Sequence, residues 1–145
     1  MSKNIEVVLA ILKNEVDGDV SAALQKMAVD YSMTWMYKGE REMFPQSEQD
    51  AEKELEGVYL IKGRKYEIKN IAEGENVVMI ELIESYPDPK TEFLHQTPLV
   101  LVLEMEDEKI KTGRHYCDPQ LSYKTVSPRD LEKAYKKTFT KIVIK

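Results

Sequence analysis

The feature that most constrains this chain is a change of hydrophobic period near residue 30. Before it, apolar residues recur at helical spacing. Ile5, Val8, Leu9, Leu12 and Val16 form one stripe, and Val20, Ala23, Leu24, Met27 and Ala28 form a second, shorter one. The Asp-Gly-Asp at 17–19 separates them, and Asp17 or Asp19 can cap the second helix by accepting first-turn N–H groups. From Tyr31 the period becomes two. Tyr31, Met33, Trp35 and Tyr37 alternate with Ser32 and Thr34, as in a half-buried strand.

After a loop, "KGEREMFPQ", Ser47 with Asp50 has the spacing of a capping box. Ala51, Leu55, Val58 and Tyr59 then predict the buried face of a third helix, closed by Gly63. From Arg64 the chain reads as β. Tyr66 and Ile68 alternate with Lys65, Glu67 and Lys69, and "VVMIELIESY" is a long strand apolar on both faces except at Glu81 and Glu84. "FLHQTPLVLVLEM" follows, with Pro98 implying an edge or a bulge. "IKTGRHYCD" is the last strand of this antiparallel meander, and "EGEN", "PDPKT" and "EDEK" are the turns. Ser127 and Pro128 start a final helix, and "TFTKIVIK" is β-prone. Helices segregated from an antiparallel sheet make an α+β fold. A curved sheet wrapped around the N-terminal helices would enclose a cone-shaped cavity. Residues 1–122 are expected to form the cone. Residues 123–145 would pack on the same domain or on a dimer partner.

Composition narrows the function classes. With 145 residues, the chain is long enough for one domain with a real core. A net charge of -5, with both signs interspersed, argues against a nucleic-acid partner. One cysteine excludes an internal disulfide and a four-cysteine zinc site. The longest apolar run, "PLVLVL", is too short to span a bilayer, and Glu6, Lys13 and Glu15 interrupt the N-terminal apolar stretch. No membrane partner and a cytoplasmic location are expected. There is no P-loop or dinucleotide fingerprint, and His95 and His115 lack further ligands at a familiar spacing, so no cofactor and no metal are expected.

The chemistry-bearing residues concentrate in "GRHYCD", Gly113 to Asp118. Strand alternation splits this stretch. Either Gly113, His115 and Cys117 face the cavity, or Arg114, Tyr116 and Asp118 do.

The order of elements from about Asn4 to Leu121, with the terminal strand "EKIKTGRHYCDP", resembles the nuclear-transport-factor-2-like superfamily. That superfamily includes SnoaL-like polyketide cyclases, ketosteroid isomerases and limonene-epoxide hydrolases. The resemblance favours the first assignment. It aligns His115 with a catalytic aspartate of the epoxide hydrolases, Glu81 with an arginine of their triad, and Ile83 with the other aspartate. Two of three triad positions thus differ in character, which argues against epoxide hydrolysis by that route. His115 is the leading general acid/base candidate, because histidine titrates near neutral pH. Glu81, interrupting an apolar strand, is its expected partner. Tyr31, Trp35, Tyr37, Met79, Ile83 and Cys117 are expected to line a ligand pocket, with Cys117 an inert thiol.

Two functions fit. One is a pocket for a small hydrophobic, oxygenated ligand without chemistry. The other is a cofactor-free isomerase, cyclase or hydrolase using His115 or Glu81. The resemblance also implies a homodimer through the sheet. Val78, Ile80 and Leu82, with part of Val100 to Leu103, are expected on its outer face.

Overall fold

The computed structural model describes residues 1–36, 48–50, 61–91, 93–118, 120 and 126–145. Helix α1 spans Lys3–Asp17; Ser2 caps it, its Oγ accepting from Ile5 N at 3.2 Å. Gly18, at φ 73°, ends it by donating back to the last carbonyls, a left-handed cap that glycine adopts without penalty. Helix α2 spans only Val20–Leu24, capped by Asp19. The expected continuation through Met27 and Ala28 is replaced by strand β1, Met27–Trp35. The sheet captures the chain first: the Lys26 carbonyl accepts from Ile110 N at 3.0 Å, and Met27 pairs with Ile110.

Strand β2 is Glu48–Asp50, paired antiparallel with Ser32–Thr34 of β1. Asp50 is therefore extended rather than part of a helix cap. Ser47 and the third-helix residues Ala51, Leu55, Val58 and Tyr59 lie outside the described residues. The meander follows as β3 Lys65–Gly74, β4 Val77–Pro87, β5 Leu94–Glu106 and β6 Lys109–Tyr116. Its turns use left-handed residues at Asn76, Asp107 and Glu108. Helix α3, Pro128–Ala134, is capped by Ser127, and β7, Ile142–Ile144, pairs antiparallel with β3.

The result is an α+β fold built on one sheet of order β2-β1-β6-β5-β4-β3-β7. The sheet is mixed rather than purely antiparallel, because β1 runs parallel to β6. Pro98 sits in β5 beyond the end of β6, whose last pair is Val100 with Tyr116, so its missing N–H leaves no ladder bond unmade.

Helix α1 lays Val8, Ile11 and Leu12 on the inner face of the sheet. Val78, Ile80 and Leu82 meet them there and are 0% exposed. The expectation that these three face outward is thus corrected: the outward residues of β4 are the odd ones. Met79 is 49% exposed, and Glu81 pairs with Asn70 on the outer face. Ile83 is buried on that same face beside Leu131 and Tyr135, because α3 covers this part of the sheet. Lys69, also outward, donates to Thr140 Oγ1 at 2.7 Å and lies 4.9 Å from the Tyr135 ring centroid. Among the described residues no helix is long and apolar enough to cross a membrane.

Candidate functional site

Between α1 and the inner face of the sheet lies a cavity of about 200 Å³. Its apolar walls come from Val8, Ile11 and Leu12 of α1 and from Leu82, Leu99, Leu101 and Leu103 of the sheet. Strand alternation extends the same face into a polar wall. Leu82, Glu84 and Tyr86 follow one another along β4, with Tyr66 of β3 opposite Glu84. His115 of β6 and Tyr31 and Trp35 of β1 complete it, and Glu15 reaches in from the last turn of α1.

The polar groups are organised in two pairs. The Tyr66 hydroxyl donates to Glu15 Oε2. Burial, then the adjacent Glu15 carboxylate, pushes the Tyr66 phenol well above its usual range, so it stays protonated. Arg64 Nη1 lies 2.8 Å from Glu84 Oε2, with the arginine side chain only 4% exposed. Burial works against the guanidinium charge, but Glu84 leads the neighbouring charges that outweigh it and raise its pKa. The Arg64 guanidinium also sits 4.7 Å from the Tyr86 ring centroid. Tyr86 stacks on His95, whose Nε2 lies 2.9 Å from Asp88 Oδ2, so the network continues to the β4–β5 turn. There the His95 contact and the N–H groups of Lys90 and Thr91 hold the Asp88 carboxyl well below the usual range.

His115 stacks on Trp35, ring centroids 5.9 Å apart. Its Nδ1 is buried with no hydrogen-bond partner among the described residues. Burial lowers its pKa and Glu84 opposes that shift without overcoming it, so the ring rests neutral at neutral pH. Arg64 Nε is likewise buried and unpartnered. Unsatisfied buried polar atoms are costly, and two on one cavity wall mark it as a place built for more than packing.

Several expected site residues meet here. His115, Tyr31 and Trp35 all line the cavity. Cys117 is half-buried against the core cluster rather than among the described lining residues. Tyr37 lies outside the described residues. Glu81 is corrected: it sits on the outer face and accepts from Asn70 Nδ2 at 2.8 Å, remote from His115. Arg114 of β6 pairs with Glu104 at 3.0 Å. Met79 and Ile83 are corrected with it, since both point away from the cavity. Among the described residues the carboxylates in the cavity are Glu84 and Glu15, which the sequence pattern does not single out as site residues, nor does it single out Arg64, Tyr66 and Tyr86. Their signal was cross-strand pairing, Tyr66 against Glu84, which a single strand does not display. Among the described residues no group of three or more His, Cys, Asp or Glu side chains is placed to hold a metal ion.

No protein-family model and no curated protein matches the sequence. Solved structures do match the fold. A nuclear-transport-factor-2-like protein of unknown function from Cytophaga hutchinsonii superposes with a TM-score of 0.66 at 14% identity, covering 83% of this chain and 95% of that one. A protein assigned as a SnoaL-like polyketide cyclase from a Jannaschia species gives 0.65 at 12% identity, covering 87% and 92%. The epoxide hydrolase/cyclase-like enzyme SalBIII, of pyran ring formation in salinomycin, gives 0.65 at 16% identity, covering 79% and 90%. At these identities the likeness is one of architecture, and it agrees with the element order: the chain has the nuclear-transport-factor-2-like fold shared by SnoaL-like proteins.

Proposed function

We infer that the cavity binds a small hydrophobic ligand carrying an oxygen or similar polar head group. The observation that carries this is the combination on one wall of His115, with its unpartnered Nδ1, and the Arg64–Glu84 pair, facing apolar side chains around about 200 Å³. Apolar walls with a few convergent polar groups are the usual make-up of a small-molecule site. A second reading has its own support. The neutral His115 ring, stacked on Trp35 and electrostatically coupled to Glu84, has the features of a general base without a cofactor. In that reading Glu84 takes the role first expected of Glu81.

Native mass spectrometry of the purified protein, followed by denaturing extraction, tests the binding reading. A co-purified apolar compound released on unfolding is the expected result. No such compound, together with no thermal shift across a library of hydrophobic alcohols and ketones, would count against it. If an activity is found, His115→Ala should abolish it under the second reading.

The homodimer belongs to the same proposal, with its surface redrawn. Met79, Val100 and Tyr116 are exposed apolar residues on the outer face of the central strands, at 49%, 36% and 42%. Light scattering should show a dimer that Val100→Lys splits. A wild-type monomer at micromolar concentration would remove this part.

A further inference from the structure

The polar wall of the cavity is unequal in what it offers a ligand. Tyr66 has one hydroxyl proton and gives it to Glu15, so toward the cavity its oxygen can only accept. Arg64 lies against Glu84 Oε2, and no second partner of that carboxylate is found among the described residues. Glu84 lines the cavity with its side chain 20% exposed, so the carboxylate keeps acceptor lone pairs for a ligand. Arg64 is drawn toward Glu84 rather than the ligand: its side chain is 4% exposed, Nη1 lies on Glu84 and its face on Tyr86. The other side-chain donors on the described lining are neutral: the Trp35 indole, the Tyr31 and Tyr86 hydroxyls and the His115 imidazole. A hydroxyl can rotate toward another acceptor, and a neutral N–H is cheaper to desolvate than a charge. Covering an ionised oxygen with apolar surface is the larger penalty, so the carboxylate decides the ligand's polarity.

We propose that the ligand of this cavity is an apolar molecule whose head group is a hydrogen-bond donor, a hydroxyl or an amine, seated on Glu84. Ketones, ethers and carboxylic acids of the same size are selected against. This rests on the cavity being a ligand site, and the test separates the two claims.

The test titrates the full chain calorimetrically with five naphthalenes: 2-naphthol, 2-naphthylmethylamine, 2-methoxynaphthalene, 2-acetylnaphthalene and 2-naphthoic acid. The apolar body is constant and only the head group varies. Naphthol or the amine should bind about tenfold or more tighter than the ether and ketone, the usual worth of a hydrogen bond to a charged group, and the acid should bind weakest. The order of naphthol and amine assigns the head group. Glu84→Gln, whose carboxamide both donates and accepts, should erase the preference. If that variant fails to fold, the wild-type series still decides. An ether or ketone binding as well as naphthol overturns this inference and leaves the ligand-site reading standing. Binding of none of the five overturns both.

Discussion

Replacing Arg64 by methionine isolates a carboxylate inside the cavity, and the structure allows the cost to be sized. The two charges are 2.8 Å apart, with side-chain exposures of 4% and 20%. At an effective dielectric of about 20, charges at that distance attract by about 6 kcal/mol. Most of that attraction offsets the desolvation of both groups, so the intact pair is close to break-even against an apolar pair of the same volume. Deleting one partner is different, because the desolvation of Glu84 remains and the attraction does not. The range for breaking a buried pair is about 3–5 kcal/mol. Glu84 keeps some access to water, which places Arg64→Met near the lower end, about 3 kcal/mol, with part of that from the lost contact on Tyr86. Urea unfolding followed by circular dichroism reads this as a lower midpoint at constant slope. The double variant Arg64→Met/Glu84→Leu should recover about 2 kcal/mol relative to the single. A single variant costing under about 1 kcal/mol, or a double no better than the single, would refute a buried, mutually dependent pair.

Gly113→Ala should destabilise by about 1–3 kcal/mol. An added Cβ would stand 2.6 Å from Met33 Cε and 3.2 Å from Leu103 Cδ2, and thermal unfolding of Gly113→Ala with and without Met33→Ala isolates that clash. Leu82→Ala, at a fully buried position on the cavity wall, should cost about 2–5 kcal/mol, while Glu81→Gln on the outer face should stay within about 0.5 kcal/mol. Equal effects at the two sites would contradict the assigned faces of β4. Burial lowers the His115 pKa in the folded state, so below the ordinary histidine value of about 6.5 the unfolded chain binds more protons. Its contribution is fully present above about pH 6.5 and is lost as the pH falls toward the folded-state pKa; His115→Phe should flatten that part of the urea-midpoint profile. A profile unchanged by the substitution would show that His115 is not buried in its neutral form.

Much of this fold is local and was therefore legible in the sequence. The α1 stripe, the Asp-Gly-Asp break and the Ser127–Pro128 start signal each act within one turn of helix, and each appears where expected. The three meander turns likewise lie where their polar residues sit. His115 was legible because alternation and a family resemblance together left it facing inward, and it lines the cavity. By contrast, α2 was read too long, because Met27 and Ala28 fit a helical stripe and a strand equally well.

The face of β4 was not legible, and the reason is a single residue. Its odd and even positions are both apolar, so its own pattern does not choose a side. Counting back from the turn pair Gly74–Val77 in strict register would set Tyr66 opposite Ser85 and turn Glu81 and Ile83 inward. In the structure Lys69 is an extra residue in β3, Tyr66 pairs with Glu84, and the even residues of β4 face the cavity. Lys69 is held in that bulge by Thr140 and Tyr135, about 70 residues away in sequence. The sequence by itself determined α1, the strands of the meander and the final helix, and that one face of the sheet would meet the N-terminal helix. Which carboxylate enters the cavity was decided only in the tertiary structure, because strand register is a property of two strands and of whatever packs across them.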